Sequence, residues 1–261
     1  MIDPFVEISS LRMVYPGRRD KHVEALSDVS LTIGQAEFVS LLGPSGCGKS
    51  TLLMLVAGLL RPTHGQIRIH GREVDRAQTD IGIVFQSDVL LSWRTAVQNV
   101  MLQAEARRLD RTMYRRRALA LLESVGLAGF ADCYPYELSG GMRQRVSICR
   151  AFIHEPPLLL MDEPFGALDA LTREQMMVEL QRMWHRTQKT VVFVTHSIQE
   201  AVFLSDRVVV MSPRPGRVER ILEIDLPRPR RLKVMATPEF TQYTNEITDI
   251  FKSRGVISED D

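Results

Sequence analysis

The sequence has no long hydrophobic run, and this lack excludes one class of protein. Its longest uninterrupted apolar stretch covers nine residues, 52–60, whereas a helix that crosses a membrane needs roughly 20. The first residues, Met1 to Phe5, have neither the basic start nor the apolar core of a signal peptide. We therefore expect a globular chain with no membrane-spanning segment.

Cysteine is scarce and the net charge is close to zero. Cys47, Cys133 and Cys149 are odd in number and lack the spacing of a metal site, which predicts free thiols in a reducing cytosol. Lys and Arg total 33 against 32 for Asp and Glu, so no overall field draws the protein to nucleic acid or anionic lipid. We therefore expect no nucleic-acid partner. No stretch recurs with a period of about 20 to 50 residues, which excludes repeat architectures.

The most specific pattern in the chain is a glycine-rich stretch at residues 43–51, Gly-Pro-Ser-Gly-Cys-Gly-Lys-Ser-Thr. It fits the P-loop pattern, in which backbone N–H groups cradle phosphates. The apolar stretch 37–42 predicts a buried strand before it, and 52–60 predicts a buried helix after it. The free N–H groups at the start of that helix would point at an anion. Lys49 would bridge the β- and γ-phosphates, and the Ser50 hydroxyl would bind Mg²⁺.

Strand patterns dominate the two ends of the chain. Alternating apolar residues predict a strand pair at 5–15 and 26–33, joined by a turn at Pro16-Gly17 and a basic loop. Other short apolar stretches predict strands at 65–70, 81–85, 158–161 and 190–195. A helix marked by Met176, Leu180, Met183 and Trp184 separates the last two, and strand, helix, strand is typical of a parallel sheet. Residues 207–211 and 217–224 predict a hairpin.

The middle of the chain, residues 97–127, has helical periodicity instead. Five apolar residues share one helical face that ends at Gly126: Tyr114, Ala118, Leu121, Leu122 and Val125. Several arginines accompany them, which allows either a nucleic-acid or membrane patch or a solvated helix surface. We favour the solvated surface because Arg116 lies opposite the apolar face and its neighbours flank it. The residues concerned are Arg107, Arg108, Arg111, Arg115, Arg116 and Arg117.

Two carboxylates follow the apolar strand 158–161. Asp162 and Glu163 would therefore lie at the edge of the sheet where ligands bind. Asp162 is suited to orient a hydrated Mg²⁺, and Glu163 to accept a proton from the water that attacks the γ-phosphate. The alternative is that the two acids merely cap the next helix.

Residues 138–145, Leu-Ser-Gly-Gly-Met-Arg-Gln-Arg, resemble the signature motif of ABC-transporter ATPase subunits. Further motifs occur in the order of that family: Tyr15, Gln86 after Phe85, residues 167–169 as the D-loop, and His196 after a strand. The resemblance covers about Val6 to Asp225. It implies an α/β fold with a P-loop NTPase core, a mostly parallel sheet, an N-terminal antiparallel β subdomain and a helical signature-motif subdomain at about 90–155. One cassette would span 1–225, with a short tail at 226–261.

The resemblance also implies a nucleotide site for ATP. Tyr15 would stack on the adenine, because an aromatic ring offers a flat polarisable face. The phosphates would lie on Gly43, Pro44, Ser45, Gly46, Cys47, Gly48, Lys49, Ser50 and Thr51. Catalytic residues would be Lys49, Gln86, Glu163 and His196, and Mg²⁺ would bind Ser50, Gln86 and Asp162. A helix N-terminus and a bound cation would lower the pKa of the Cys47 thiol.

The family resemblance further implies a head-to-tail homodimer. ATP would lie between the P-loop of one chain and Ser139, Gly140 and Gly141 of the other, with Asp169 of the D-loop nearby. The physical pattern agrees, because Ser139 is a good N-cap and the helix that follows directs its positive dipole end at the phosphates. ATP would hold the dimer together, and hydrolysis would reopen it.

Four short segments resemble the nitrate, sulfonate and taurine branch of bacterial importers: 93–95 after Leu90-Leu91, 169–173, 212–217 and 226–230. That branch often has Pro at the position of Ser92. In that branch the segment Gln86–Asn99 would receive a coupling helix of an integral membrane permease. An extracytoplasmic solute-binding protein would act through the permease. The chain would then be a peripheral protein at the cytoplasmic face of the inner membrane.

Two other functions compete with the importer interpretation. A soluble ABC ATPase of DNA repair or translation usually has two cassettes in one chain or a long coiled-coil insertion, and this sequence has neither. A nucleotide-dependent binding module that does not hydrolyse ATP is the other. The presence of Glu163 and His196 argues against it.

Overall fold

The structure is a computed structural model that describes residues 4–17 and 22–256. The described residues form two compact units, the first from their parts before residue 80 and after residue 187, and the second from 80–187. The helical subdomain expected at about 90–155 falls inside the second unit. Part of the basic loop predicted after Pro16-Gly17 and the last five residues of the tail lie outside the described residues.

The first unit contains strands from both ends of the chain. Its strands are β1 (Pro4–Tyr15), β2 (Val23–Gly34), β3 (Phe38–Leu42), β4 (His64–Ile69), β5 (Arg72–Glu73), β8 (Thr190–Thr195), β9 (Arg207–Met211) and β10 (Val218–Glu223). Its helices are α1 (Lys49–Val56), α7 (Ile198–Leu204) and α8 (Pro238–Ser253), with a 3₁₀ turn at Leu232–Ala236.

The second unit is mostly helical. Its two strands are β6 (Ile81–Val84) and β7 (Leu158–Asp162). Its helices are α2 (Ala96–Val100), α3 (Leu102–Ala106), α4 (Arg111–Ser124), α5 (Gly140–Phe152) and α6 (Ala170–Thr187), with 3₁₀ turns at Ala128–Phe130 and Pro135–Glu137.

An antiparallel sheet forms the N-terminal part of the first unit, in the order β2-β1-β4-β5. The apolar residues that alternate along β2, including Val29, Leu31 and Ile33, are all buried. This is the arrangement of a strand with one face on a core. The predicted antiparallel β subdomain is therefore confirmed.

Pairs of parallel strands lead into the loops that contain the predicted site residues. In the first unit β3 pairs in parallel with both β8 and β9, and Leu42 lies opposite Thr195. In the second unit β6 and β7 are also parallel, and Val84 lies opposite Met161. β9 and β10 form the predicted antiparallel hairpin. Because parallel strands end at the same edge, each pair delivers two loops to one place.

The helix after the P-loop is shorter than the sequence predicts. The apolar stretch predicts a helix at 52–60, whereas α1 covers Lys49–Val56 and Leu59 is 47 % exposed. Gly58 has a φ of 69°, and a Cβ atom there would lie 2.0 Å from the Arg76 carbonyl oxygen. The left-handed glycine ends the helix, so apolar composition overestimates its length.

The predicted apolar face of the middle helix is present in α4. Ala118 and Leu122 are fully buried, Val125 follows them as the C-cap, and Gly126 adopts a φ of 73°. Arg111, Arg115 and Arg116 are exposed, as a solvated helix surface requires. Arg117 forms an ion pair with Glu155 at 2.6 Å. These arginines thus belong to the surface of the helix.

The C-terminal segment packs on the first unit. α8 buries Phe240, Ile247 and Phe251, and Arg230 upstream of it is also buried. The sequence predicts a polar, partly helical tail, but its periodic apolar positions bury a face of α8 as an amphipathic helix does. Within the described ranges, no helix combines the length and the hydrophobicity that a membrane span requires.

Candidate active site

The phosphate loop follows the fully buried strand β3 and ends where α1 begins at Lys49. Gly46 and Gly48 have φ values of 76° and 101°, which L side chains rarely adopt. A Cβ atom on Gly48 would also lie 2.7 Å from Leu26 Cδ2. The glycines therefore allow a backbone curve that other residues would block, and this curve leads into the N-terminus of α1, the end of a helix that favours an anion.

Lys49 is held inside this loop. Its side chain is buried, and Nζ donates hydrogen bonds to the carbonyl oxygens of Gly43 at 2.8 Å and Pro44 at 2.9 Å. These neutral partners fix the position of the ammonium group without neutralising its charge. The loop thus combines a positive charge with a helix N-terminus, as the binding of a polyphosphate requires.

The pKa of the Cys47 thiol differs from the sequence-based expectation. Burial raises the pKa of Cys47, and this effect outweighs the charge and the hydrogen bonds of Lys49, which lower it. The sequence-based hypothesis of a lowered pKa is therefore wrong for this structure. The charge of Lys49 and the backbone hydrogen bonds lower this pKa, but desolvation of the thiolate is the larger effect.

Tyr15 lies beside the first turn of α1. Its hydroxyl is 3.3 Å from Thr51 Oγ1, and its side chain is half-buried. The preceding residue, Val14, donates its N–H to Thr63 Oγ1 at 2.9 Å. These bonds fix the end of β1 next to the phosphate loop, where a partly exposed ring is available for stacking.

His196 follows β8 and is exposed. Because Leu42 lies opposite Thr195 in the parallel pair, Gly43 and His196 leave the sheet side by side. Thr195 Oγ1 donates to Glu200 Oε2 at 2.6 Å and accepts the N–H of Ser197 at 3.0 Å. The structure therefore brings His196 to the same sheet edge as the phosphate loop.

The second unit brings together three further predicted residues. Asp162 is the last residue of β7 and is buried, and Glu163 follows it with a φ of 44°. Gln86 Nε2 donates to Glu163 Oε2 at 3.4 Å. The parallel pairing of β6 and β7 produces this arrangement, because Val84 and Met161 lie opposite each other. An amide and two carboxyl groups thus meet at one edge.

The signature motif starts α5. Ser139 is the N-cap, and its Oγ accepts the N–H of Met142 at 3.3 Å. A Cβ atom on Gly141 would lie 2.9 Å from Leu168 Cδ2, so glycine permits this close approach. The predicted N-cap is confirmed, and the first turn of α5 directs its N–H groups outward from the helix.

Asp169 lies at the start of α6. Thr172 donates to it from its backbone N–H at 3.0 Å and from its hydroxyl at 2.7 Å. These hydrogen bonds lower the pKa of Asp169. Its side chain therefore caps the first turn of the helix as an ionised carboxylate.

A sequence model described as ABC transporter matches residues 26–166, which is more than half of the chain. The chain belongs to the ABC transporter family. It is therefore the ATP-binding subunit of such a transporter and an ATPase.

Several relatives align with most of the length of this cassette. It is 47 % identical to the taurine import ATP-binding protein of Rhizobium johnstonii, over 95 % of this chain and 97 % of that protein. It is 43 % identical to the nitrate import ATP-binding protein of a Synechocystis strain, over 95 % and 96 % of the two chains. It is also 47 % identical to an uncharacterized ABC transporter ATP-binding protein of Methanocaldococcus jannaschii, over 88 % and 85 %.

A solved structure supports the fold of this cassette. The ATP-binding cassette MJ0796, in a dimeric post-hydrolysis state bound to ADP and Pi, is 35 % identical and superimposes with a TM-score of 0.77. The match covers 85 % of this chain and all of that one. The P-loop NTPase fold expected from the sequence is thus confirmed.

Two polar residues that the sequence analysis missed hold the loop after Gln86 in this cassette. Asn99 is fully buried: its Oδ1 accepts the N–H of Leu91 at 2.8 Å, and its Nδ2 donates to the Leu91, Arg94 and Thr95 carbonyl oxygens. Arg150 of α5 donates to the Val89 carbonyl oxygen at 2.7 Å and that of Asp88 at 2.9 Å. Polar residues at buried helical positions are the sequence signal that could have identified them.

Proposed function

We propose that this cassette uses ATP to power the import of a small solute through a separate membrane permease. The single observation that carries the proposal is the nearly full-length similarity to taurine and nitrate import ATP-binding proteins. The solute would be a small anion of the nitrate, sulfonate or taurine type, or a compound of similar size. Other chains would recognise it, because nothing in the cassette itself selects a solute.

The residues of the first unit would hold the phosphates. The backbone N–H groups of the loop and the ammonium of Lys49 are suited to the β- and γ-phosphates, because they supply positive potential at a helix N-terminus. His196 would contact the γ-phosphate, since it leaves the sheet beside Gly43. Tyr15 would stack on the adenine, next to Thr51.

Glu163 would accept the proton of the attacking water. Its hydrogen bond with Gln86 fixes the carboxylate and leaves the amide oxygen of Gln86 to act as an acceptor. Magnesium, when bound, would neutralise charge on the phosphates. The groups proposed to hold it are the Ser50 hydroxyl, the Gln86 amide oxygen and Asp162, and such oxygen ligands are the type that Mg²⁺ prefers.

Two copies of the chain would act together. We place Ser139, Gly140 and Gly141 of one chain against the nucleotide on the other, with Asp169 at the same interface. The N–H groups at the start of the 13-residue helix α5 support this role, because its dipole favours negative charge at that end. ATP would then hold the homodimer closed, and release of the products would open it.

The segment Gln86–Asn99 would receive a coupling helix of the permease. It presents apolar surface to solvent: Trp93 is 71 % exposed and Val89 is 52 % exposed. Exposed apolar groups on a loop with internally bonded carbonyl oxygens suit contact with a partner helix. The cassette would then work at the cytoplasmic face of the inner membrane, and the extracytoplasmic binding protein would communicate with it only through the permease.

Affinity purification from the native host tests this function. Tagged Glu163→Gln protein is extracted from membranes in mild detergent with Mg-ATP, and the proteins that co-purify are identified by mass spectrometry. We expect a multi-spanning permease. The matched control is the double variant Glu163→Gln/Trp93→Ala. It should lose the permease and retain ATP-dependent dimerisation. Recovery of only soluble proteins or nucleic acid would contradict the importer proposal.

A further inference from the structure

Residues 226–230, Leu-Pro-Arg-Pro-Arg, contain a buried arginine whose guanidinium binds a cluster of backbone carbonyl oxygens. Arg230 is 3 % exposed. Nε donates to Leu226 at 3.2 Å, Nη2 to Ile224 at 3.1 Å, and Nη1 shares its two hydrogens among Val202 at 2.9 Å, Phe203 at 3.1 Å and Ser205 at 2.8 Å.

Three of these oxygens belong to the end of α7. The last carbonyl groups of a helix have no partner within the helix, and a cation there also complements the helix dipole. Burial lowers the pKa of Arg230 to about 10, and the charge of Arg228 adds to this effect. The group therefore stays charged at neutral pH. Four N–H groups in one plane reach these five oxygens, and only arginine offers such a planar set of donors.

The second arginine of the segment ties the same helix end to β3. Arg228 donates to Asp206 Oδ1 at 2.9 Å and to the Leu204 carbonyl oxygen at 2.6 Å. Asp206 Oδ2 accepts the N–H of Phe38 at 2.9 Å, in the first residue of β3. The end of α7 is therefore connected to the strand that carries the phosphate loop.

His196 lies at the opposite end of α7, immediately before its N-cap Ser197. Seven residues of helix are only about 10 Å long. Ala201, Val202, Phe203 and Leu204 are completely buried, and close-packed groups of this kind transmit a displacement rather than absorb it. Hydrogen bonds among Thr195, Ser197 and Glu200 fix the start of the helix.

We propose that Arg230 is a positioning residue for ATP hydrolysis, which holds α7 and through it sets the place of His196 relative to the phosphate loop. This inference rests on the proposed contact of His196 with the γ-phosphate. It assigns a role to the 226–230 segment in the ATPase reaction itself. In this role Arg230 would act through the helix, because five hydrogen bonds of its guanidinium go to backbone carbonyl oxygens at the end of α7 and in the segment 224–226.

The proposal is tested by measuring steady-state ATP hydrolysis by the full chain carrying Arg230→Met. Arg230→Lys is measured as well, in case the first variant fails to fold. A displacement of about 1 Å at a reacting group lowers rates by about 100-fold, so we expect kcat to fall 10- to 100-fold in Arg230→Met, with KM for ATP changed less than about threefold. Arg230→Lys keeps the charge with three donors and should recover part of kcat. The adjacent, exposed Arg231→Met is the matched control and should leave kcat unchanged.

Combination with His196→Ala separates positioning from stability. If Arg230 acts through His196, its substitution should lower kcat in the wild-type chain but not further in His196→Ala. Multiplicative losses in the double variant, or a lower melting temperature with unchanged kcat, would overturn the inference. A different result, an unaltered kcat in His196→Ala alone, would instead refute the proposed role of His196.

Discussion

Gly216 lies so close to Cys47 that a Cβ atom on the glycine would be 2.0 Å from the Cys47 carbonyl oxygen. Backbone hydrogen bonds hold the glycine in place: its N–H donates to the Ala25 carbonyl oxygen at 2.9 Å, and its own oxygen accepts the N–H of Ser27 at 3.0 Å. A side chain at position 216 would therefore displace the phosphate loop. The hairpin loop 212–217 supports the P-loop from outside the P-loop motif.

Substitution of Gly216 by Ala should weaken ATP binding. The added methyl group pushes on the backbone of residue 47, and the N–H groups that cradle the phosphates move with it. We expect the dissociation constant for ATP to rise at least about tenfold, which corresponds to about 1.4 kcal/mol. Calorimetric titration of the full chain with ATP measures it.

Two other glycines serve as controls for this substitution. A Cβ atom on Gly129 meets nothing within 4 Å, whereas one on Gly82 would lie 2.4 Å from the Ala151 carbonyl oxygen. Gly129→Ala should bind ATP normally, and Gly82→Ala should lower the melting temperature with a smaller loss of ATP affinity. Equal losses in the Gly216 and Gly82 variants would show that unfolding, and not loop position, explains the effect.

Replacement of Glu163 by Gln should abolish turnover and preserve ATP-dependent dimerisation. The amide cannot accept the proton of the attacking water, and loss of a general base lowers rates by about 100-fold or more. Phosphate release and size-exclusion chromatography with Mg-ATP measure the two properties. Glu155→Gln is a suitable control, because that exposed residue also has a positive φ, of 53°. Turnover equal to wild type in Glu163→Gln would disprove its role as the base.

Asn99→Ala should destabilise the second unit. The substitution removes the side-chain partner of the Leu91 N–H and of the Arg94 carbonyl oxygen, whereas the carbonyl oxygens of Leu91 and Thr95 keep a backbone N–H partner. Each group left without a partner costs about 1–3 kcal/mol. We expect the free energy of unfolding to fall by about 2–4 kcal/mol, measured in urea, together with weaker recovery of the permease. The exposed Asn245→Ala on α8 should change stability by less than about 0.5 kcal/mol.

Stability should fall at high pH because of Cys149. Burial raises the pKa of its thiol to about 12 from an ordinary value of 9.0. Above pH 9 the unfolded chain releases this proton and the folded chain keeps it, so stability is lost progressively between pH 9 and about 12. Urea unfolding at several pH values measures this slope, which should flatten in Cys149→Ala and persist in Cys133→Ala. An unchanged slope in Cys149→Ala would rule out this thiol as its source.

Local patterns in the sequence were sufficient to predict most strands, most helices and the local elements on which the candidate site residues lie. The glycine spacing at residues 43–51 predicts the loop that holds Lys49. The apolar stretch before Asp162 forms a buried strand, and Ser139 is the N-cap of α5. These features depend on neighbours within a few residues, because periodicity and capping are local properties. Gly43 and His196 leave the same sheet edge because β3 and β8 are parallel neighbours, and only the structure shows this pairing.

Only the tertiary structure decided which distant residues support these motifs. The sequence alone indicated the family and supplied the residues proposed to meet the nucleotide. It did not show that Gly216 touches Cys47, that Arg230 binds the end of α7, or that burial raises the pKa of the Cys47 thiol. The physical reason is the same in each case: close packing and desolvation arise between segments far apart in the chain, and no local pattern records them.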